Sequence, residues 1–197
     1  MKLNWAERLV VNNPVRVWQQ KLEIKWFQKI VAPASETAFL EVGCGRGAGA
    51  KLILKNFHPA RLYTLDLDLK MILKVRNYLL PQTRNQAALL VGDAIALPFG
   101  NNSLDAVFGF GFLHHVPDWR AALAQIARVL KVGGIYYMEE LYPALYQNFL
   151  TRHILLHPRR DRFLSHDLKT ALHQQNLILK GTLEASRFGI LGVSIKK

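Results

Sequence analysis

The stretch Phe39-Leu-Glu-Val-Gly-Cys-Gly-Arg-Gly-Ala-Gly49 decides the fold of this chain. An apolar run of strand type ends at Val42 and gives way to alternating glycines, and a helical pattern then runs from Ala48 to Asn56. Glycine suits such a turn because it accepts a φ above zero and because its missing Cβ lets a ligand lie against the backbone. The helix that follows presents N–H groups to an electron-rich ligand. The stretch therefore predicts a strand, a ligand-binding glycine turn and a helix.

The glycine spacing fits two kinds of nucleotide site. Gly43, Gly45 and Ala48 match the G-x-G-x-x-G/A pattern of dinucleotide sites. If Gly47 takes the third position and Glu41 leads the motif, the same loop matches the E/D-x-G-x-G-x-G pattern of S-adenosylmethionine sites. A third interpretation is a glycine turn that binds no ligand. It is disfavoured because three alternating glycines follow a strand of buried type. The loop by itself leaves the choice between the two cofactors open.

Composition bounds the class of protein. The chain has 197 residues, of which 50% are hydrophobic, so it is long enough for one folded domain and too apolar for a disordered chain. Its one cysteine, Cys44, excludes an internal disulfide and suits a reducing compartment. Because no activating base stands near Cys44 in the sequence, its place between two glycines favours a small filler over a nucleophile.

Charge and hydropathy indicate where such a protein works. The formal net charge is +12, which favours an anionic partner: nucleic acid, an acidic membrane or an acidic substrate. The N-terminal residues lack an apolar core of signal-peptide length, and no stretch approaches the roughly 18 apolar residues of a membrane span. We therefore expect a cytoplasmic protein that can still attach peripherally to the inner face of a membrane.

An amphipathic helix is predicted over residues 13–31, with Pro14 at its start. Apolar side chains recur at three-four spacing, namely Val15, Trp18, Leu22, Trp26 and Ile30. Lysines four residues apart share one flank: Lys21, Lys25 and Lys29. Packing of the Trp and Ile side chains on the domain is the favoured interpretation, since it is the common role of amphipathic helices. Attachment of the helix to an anionic membrane is the alternative.

Acidic residues follow the second and third predicted strands. Asp66 comes about 20 residues after the glycines, where a carboxylate can bind both ribose hydroxyls of a nucleotide. Asp68 competes for that role, but it stands where the next helix begins and is therefore predicted to be an N-cap. Asp93 follows the third strand directly, at the end where open α/β sheets bind ligands. Capping of the following turn is the plain alternative for Asp93.

Four segments resemble class I S-adenosylmethionine-dependent methyltransferases, in the same order as in that family. They are EVGCGRG at 41–47, LDLDLKMI at 65–72, GDAIALPF at 92–99 and LDAVFGFGFLHHV at 104–116. The resemblance spans residues 37–141. Over these residues the chain is similar to the broad group of quinone-pathway C-methyltransferases and small phospholipid N-methyltransferases. Gln125 and Val132 stand where the family usually has an acid and a proline, both away from the cofactor loops.

The resemblance implies an α/β fold with a doubly wound, mostly parallel seven-stranded sheet, helices on both faces and an antiparallel last strand. It also implies S-adenosyl-L-methionine as the cofactor, S-adenosyl-L-homocysteine as the product and no metal. On the matching positions it assigns the cofactor to eleven residues: Glu41, Gly43, Cys44, Gly45, Gly47, Asp66, Leu67, Asp93, Ala94, Gly109 and Phe110. His114 and His115 are more typical of packing than of catalysis in this family, so no catalytic residue is assigned.

We expect one methyltransferase domain over residues 1–197. Its predicted parts are a helical cap at 1–36, a cofactor-binding core at 37–141, an acceptor-side helical segment at 142–176 and a closing β-hairpin at 177–197. The acceptor-side segment carries arginines that can bind an anionic acceptor or lipid headgroups or else form a solvated loop: Arg152, Arg159, Arg160 and Arg162. Ser165 is predicted to cap the helix that ends this segment.

The sequence thus predicts methyl transfer by in-line displacement to a small-molecule or lipid-like acceptor, with peripheral contact to an anionic membrane. Nucleic acid is a disfavoured partner, because the Asn/Asp-Pro-Pro-aromatic motif of amino-group methylation is missing after the fourth strand. An RNA methyltransferase with a non-amino target remains the alternative. An NAD-dependent oxidoreductase is favoured less, since Glu41, the GDAIALPF segment and the closing hairpin argue against it.

Overall fold

The computed structural model describes residues 13–34, 37–79, 81–146, 161–185 and 187–197. Its strands are β1 (Ala38–Val42), β2 (Arg61–Asp66), β3 (Ala87–Val91), β4 (Leu104–Phe110), β5 (Leu130–Leu141), β6 (Leu177–Ala185) and β7 (Gly189–Lys196). They form a seven-stranded sheet in the order β3-β2-β1-β4-β5-β7-β6. The first five strands in this order are parallel, while β7 runs antiparallel to both β5 and β6. The predicted sheet and its closing hairpin are confirmed.

Helices cover both faces of this sheet, as predicted. They are α1 (Pro14–Ile30), α2 (Ala48–Phe57), α3 (Leu69–Tyr78), α4 (Pro81–Arg84), α5 (Trp119–Val129), α6 (Pro143–Tyr146) and α7 (Ser165–Gln174), with a 3₁₀ helix at Leu113–His115. Buried side chains of α1, α2 and α3 join one hydrophobic cluster, and those of α5 and α7 join the other. The central strands β1 and β4 between them are buried almost throughout, which is why these parallel strands read as nearly continuous apolar runs.

The N-terminal helix forms where the sequence predicts it. Asn13 is its N-cap, with the side chain accepting a hydrogen bond from the Val15 N–H, and Pro14 occupies the first turn. The favoured prediction that its Trp and Ile side chains pack on the domain holds for Trp26 and Ile30, which lie against the hydrophobic cluster, but is wrong for Trp18, which is 62% exposed. The fully buried side of the helix consists of Gln20, Glu23, Ile24 and Phe27.

Two local predictions near the C-terminal half also need correction. The Gly133-Gly134 pair, which the pattern of helix, glycine pair and strand over residues 118–140 predicts as the stop of α5, does not end it, since the helix stops at Val129 and the chain is already paired with β4 at Leu130. The glycines lie in an irregular part of β5, where the register shifts. Ser165 is the first residue of α7 rather than its N-cap, which is Leu164. At the N-terminal end of this helix, the free N–H group of Leu164 instead donates a hydrogen bond to the carboxylate of Asp167, at 2.9 Å.

Some predictions concern residues that lie outside the described ranges. They include the N-terminal residues 1–12 and three of the four arginines of the acceptor-side segment, Arg152, Arg159 and Arg160. Within the described ranges, none of the helices combines the length and the apolar character that crossing a membrane requires.

Candidate active site

A cavity of about 840 Å³ opens at the carboxyl ends of the central parallel strands. Strand β1 pairs with β2 on one side and with β4 on the other, so the chain leaves β1 towards β2 and leaves the neighbouring β4 in the opposite direction, towards β5. Open α/β sheets leave a crevice for ligands at such a reversal of strand order. One half of the lining comes from the ends of β1, β2 and β3. The other half comes from α1, the 3₁₀ helix, the end of β5 and α6.

The glycine loop after β1 has the backbone that its sequence predicts. Gly43, Gly45 and Gly47 all have positive φ, at 70°, 52° and 93°. The loop is fastened to β2, because the N–H groups of Gly43 and Cys44 both donate to the carbonyl of Leu65. A Cβ on Gly43 would lie 2.5 Å from the Cβ of Phe112, whereas a Cβ on Gly45 would meet nothing within 4 Å. Gly45 therefore offers open space in the cavity lining where a ligand can approach the backbone.

Asp66 connects the glycine loop to the end of β2. One carboxylate oxygen accepts the Gly45 N–H at 2.9 Å, and the other accepts the Asp68 N–H at 2.9 Å. Burial raises the pKa of Asp66. Asp68 is the N-cap of α3 and accepts the Lys70 N–H at 3.0 Å, which confirms its predicted capping role. Each oxygen of Asp66 retains a lone pair for a further donor, so the carboxylate can also serve a bound ligand.

Asp93 combines the two roles that its sequence position allows. Its carboxylate accepts the Ile95 N–H at 3.2 Å, as expected for the cap of a turn. The residue also lines the cavity together with its neighbours Gly92, Ala94 and Ile95. Because the side chain of Asp93 is exposed at the carboxyl end of β3, capping the turn leaves acceptor capacity for a ligand.

Glu41 brings a buried carboxyl group to the cavity. The residue is 2% exposed, and within the described part of the chain its Oε2 atom has no hydrogen-bond partner. Burial raises the pKa of Glu41 well above its ordinary value, and the nearby charge of Asp66 raises it further. A buried polar atom is stable only when it is hydrogen-bonded. The orphaned oxygen therefore fits a ligand that brings a hydrogen-bond donor or a positive charge.

Cys44 is buried behind the loop. Burial raises the pKa of its thiol well above the ordinary value, and the charges of Glu41 and Asp66 act in the same direction. The group is therefore a neutral thiol at physiological pH, which agrees with a small filler and not with a nucleophile.

Most of the residues predicted for the cofactor lie together. The cavity lining includes Glu41, Gly43, Cys44, Gly45, Asp66, Leu67, Asp93, Ala94 and Phe110. Gly47 and Gly109 are not part of the lining. A Cβ on Gly47 would lie 2.9 Å from Val75, and one on Gly109 would lie 2.6 Å from the ring of Phe112. These two glycines make room for neighbouring side chains, of which Phe112 lines the cavity and Val75 belongs to the hydrophobic cluster.

Sequence reasoning missed an ion-pair cluster on the other side of the cavity. Arg16 of α1 binds Glu139 of β5 at 2.6 Å and Glu23 of its own helix at 2.9 Å. Both carboxylates are largely buried, and both Arg16 and Glu139 line the cavity. The available signal was the adjacent pair Glu139-Glu140 at the end of a buried-type strand, because an acid there requires a partner.

Glu140 holds the 3₁₀ helix in place. It accepts the N–H groups of Leu113 and His114, and it contacts Nδ1 of the His114 ring at 2.8 Å. Burial raises the pKa of Glu140 to about 8. Burial, followed by the charges of Arg16 and Arg162, lowers the pKa of His114 to about 3. The His114 ring is therefore neutral, and its contact with Glu140 is a hydrogen bond rather than an ion pair.

His114 packs as the sequence analysis expects. It is 2% exposed, and its ring stacks on that of Tyr146 with the centroids 5.3 Å apart. Arg162 reaches the same region from the other side and donates to the carbonyls of His114, Val116 and Pro117. Arg162 therefore supports the 3₁₀ helix, and binding of an anionic acceptor or of headgroups by this residue stays a prediction.

The lining beyond the glycine loop combines an apolar wall with polar side chains, among them Arg16, Glu139, His115 and Asp118. It includes the side chains of Phe112, Val116, Leu141, Leu145 and Tyr146, with Gln19 and Gln20 from α1. Among the described residues, no group of three or more His, Cys, Asp or Glu side chains is arranged to hold a metal ion. The cavity thus joins a polar half around the glycine loop to a half under α1 and α6 that carries the apolar wall, which we call the apolar half.

Comparisons with known proteins agree with this arrangement. Residues 40–138 match the family model described as a methyltransferase domain. Over 105 residues, 53% of this chain, the sequence is 37% identical to the phthiotriol/phenolphthiotriol dimycocerosates methyltransferase of Mycobacterium tuberculosis. Over 119 residues, 58% of the chain, it is 34% identical to the demethylmenaquinone methyltransferase of Listeria monocytogenes. The match covers 37% of the first relative and 50% of the second.

A solved structure has the same fold. The structure of a SAM-dependent methyltransferase from Aquifex aeolicus superimposes with a TM-score of 0.77 and covers 100% of both chains. Because the two sequences are only 14% identical, this similarity supports the fold alone.

Proposed function

Since this chain belongs to the methyltransferase-domain family, in the class I group that uses S-adenosylmethionine, we propose that it transfers a methyl group from this cofactor to a small, lipid-like acceptor. One observation carries the proposal. The open space at Gly45 lies in the same cavity lining as the carboxyl groups of Asp66 and Glu41, at the reversal point of the strand order.

The polar half of the cavity suits each part of the cofactor. Asp66 is already held by two backbone N–H groups and would accept from the ribose hydroxyls. Asp93 and the backbone of Ala94 would receive the adenine ring. Gly45 lets the cofactor lie against the loop, and the orphaned oxygen of Glu41 would accept from a cationic or donor group.

The chain's task in the reaction is chiefly placement. When bound, S-adenosylmethionine supplies a methyl group that is already activated on a sulfonium. The residues around the cavity therefore need to align an acceptor with that methyl group and to exclude water. Phe110 and Phe112, both buried at the boundary between the two halves, are placed to do this.

The apolar half of the cavity supports a lipid-like acceptor. Its walls carry Val116, Leu141, Leu145 and Tyr146, and the charge of Arg16 is neutralised by its carboxylate partners. Apolar walls favour an acceptor that buries hydrocarbon, and a paired arginine makes no demand for a charged one. The names of the two relatives, which give dimycocerosates and demethylmenaquinone as what they methylate, point the same way.

Calorimetry of two glycine variants tests the cofactor site. Gly45→Val places a side chain in the space that the cofactor would occupy, so we expect no detectable binding of S-adenosylmethionine. Gly133→Val is the matched control, because Gly133 also has a positive φ, at 79°, and open space around it, but does not line the cavity. Gly133→Val should keep the affinity of the unmodified protein. Equal affinities for all three proteins would contradict the assignment.

A product search tests the reaction. The protein is incubated with S-adenosylmethionine and a cell extract that includes its lipids, and mass spectrometry looks for a +CH2 product. We expect the product in the lipid fraction, and none with Gly45→Val. Methylated RNA as the only product would replace the proposal with the RNA alternative. Thermal stabilisation by NADH and not by S-adenosylhomocysteine would revive the oxidoreductase.

A further inference from the structure

The side of α1 that points away from the sheet carries exposed apolar side chains. Val15 is 66% exposed, Trp18 is 62% exposed and Leu22 is 46% exposed. They share one side of the helix through their three-four spacing, and the buried Gln20, Ile24 and Phe27 lie on another side. A contiguous exposed apolar patch with a tryptophan at its centre commonly marks an interaction surface.

The same side of α1 is positively charged. Lys21, Lys25 and Lys29 are all exposed, and they lie along the flank of the apolar side chains. The single acid of this helix, Glu23, is buried and bound to Arg16, so it does not offset the lysines. We call these six residues the outward face of α1: Val15, Trp18, Leu22, Lys21, Lys25 and Lys29. Its charge is complementary to an anionic surface.

The outward face adjoins the cavity. Arg16 and Gln19 line the cavity, and each directly follows an exposed residue of the outward face, Val15 or Trp18. Leu145 also lines the cavity and is 39% exposed. A surface that lay against Val15 and Trp18 would therefore be within one helical turn of the apolar half of the cavity.

We propose that the outward face of α1 docks on an anionic lipid membrane, so that a lipid-like acceptor enters the cavity from the bilayer. Trp18 lies at headgroup depth, Val15 and Leu22 contact the acyl boundary, and the lysines bind anionic headgroups. The delivery of an acceptor rests on the proposed function, whereas the docking itself does not. Membrane binding is therefore measured without cofactor or acceptor.

Vesicle sedimentation with two triple variants tests the position of the charges. The first variant combines Lys21→Gln, Lys25→Gln and Lys29→Gln. The matched control combines Lys55→Gln, Lys180→Gln and Lys197→Gln, which removes the same charge from exposed positions outside α1. Since each basic residue near an anionic surface strengthens binding about fivefold, the first variant should bind anionic vesicles roughly 100-fold more weakly. The control should bind within a fewfold of the unmodified protein.

A second pair of variants tests the apolar contact. Trp18→Ser should lower binding to anionic vesicles, whereas Val132→Ser should not, because Val132 is 74% exposed at the amino end of β5, away from the cavity. The fluorescence difference between the unmodified protein and Trp18→Phe isolates the emission of Trp18. That emission should shift to the blue when anionic vesicles are added.

Several outcomes would overturn the proposal. The unmodified protein could stay in the supernatant with anionic vesicles at low salt, or bind neutral vesicles equally well. The two triple variants could lose affinity equally, which would indicate attraction to the overall charge alone. The emission of Trp18 could remain unshifted, which would point to a soluble partner for this face. Calorimetry with S-adenosylmethionine on the same variants separates these results from failure of the proposed function, because none of the substituted residues lines the cavity.

Discussion

At the scale of single residues, Asp66 serves two tasks with one carboxylate. It fixes the glycine loop through the Gly45 N–H and the start of α3 through the Asp68 N–H. The same group is the proposed acceptor for the ribose hydroxyls. Backbone donors on both oxygens orient the carboxylate before any ligand binds, which lowers the entropic cost of recognition.

Substitution of Asp66 and Asp68 by asparagine distinguishes the two acids. Asp66→Asn should weaken S-adenosylmethionine binding by about tenfold or more, since a hydrogen bond to a charged group contributes about 1.5–3 kcal/mol. Asp68→Asn should leave the affinity within about twofold, because asparagine caps a helix as well as aspartate does. Isothermal calorimetry measures both. A larger loss for Asp68→Asn would move the ribose to that residue.

At the scale of elements, a buried ion-pair cluster fastens α1 to the sheet. Arg16 reaches Glu139 at the end of β5, 123 residues away in sequence, as well as Glu23 on its own helix. At its other end the helix is held by the Tyr137 hydroxyl, which donates to the carbonyl of Val31. The helix therefore forms a fixed wall of the cavity, joined to the strand that carries Glu139 and Glu140.

Removing Arg16 should destabilise the fold much more than removing an exposed arginine. Arg16→Met leaves two buried carboxylates without their cation, which costs about 3–5 kcal/mol of unfolding free energy. Arg120→Met is the control, because Arg120 and Asp161 form a pair with side chains that are 52% and 61% exposed. Loss of such a surface pair, together with its stacking on Trp119, should cost about 1 kcal/mol.

Urea denaturation gives both values. The combination of Arg16→Met with Glu23→Gln and Glu139→Gln should recover part of the loss, because neutral amides are less costly to bury than unpaired charges. If Arg16→Met and Arg120→Met had equal small effects, the cluster would not be what holds α1.

At the scale of the whole molecule, buried carboxyl groups make stability depend on pH. Burial raises the pKa of Glu140 to about 8, and burial together with the charge of Glu139 raises the pKa of Glu23 to about 7. In the unfolded chain these groups release their protons near the ordinary value of 4.5. Between these values the unfolded state holds fewer protons than the folded state.

The contribution of these two groups to the unfolding free energy should therefore be fully present below pH 4.5. It should be lost as the pH rises to 8. Glu140→Gln removes one of the groups, so its unfolding free energy should fall less steeply between pH 5 and pH 8. The slope should decrease by at most about 1.4 kcal/mol per pH unit. Urea denaturation at a series of pH values measures it.

Glu184→Gln is the control for this slope. Burial alone would raise the pKa of Glu184, but hydrogen bonds from Lys169, Ser165 and Tyr142 lower it to about 2. Its contribution to stability is present above pH 4.5 and is lost only as the pH falls towards 2. Glu184→Gln should therefore leave the slope between pH 5 and pH 8 unchanged. A slope that is identical in Glu140→Gln and the unmodified protein would show that Glu140 is ionised in the fold.

Local chemistry made much of the fold predictable from the sequence. The strand, glycine loop and helix at 38–57, the N-cap Asp68 and the two closing strands were recognisable from residues a few positions apart, and the family resemblance added the antiparallel course of the last strand. Each depends on backbone conformation, capping or strand period, which neighbouring residues determine. The placement of Asp66 and Asp93 follows, because parallel strands bring their carboxyl ends to one edge of the sheet.

Only the tertiary structure decided which side of α1 is buried and what lines the far half of the cavity. The spacing of Val15, Trp18 and Leu22 predicted an apolar stripe along one side of the helix. Spacing alone does not determine whether such a stripe contacts the sheet or the solvent. Glu23 is buried because Arg16 can bind it and Glu139 together, and Glu139 comes from a distant strand. Long-range pairing of Arg16 and burial of Ile24 and Phe27 therefore act together in this helix, because a buried charge is tolerated only where the fold supplies its partner.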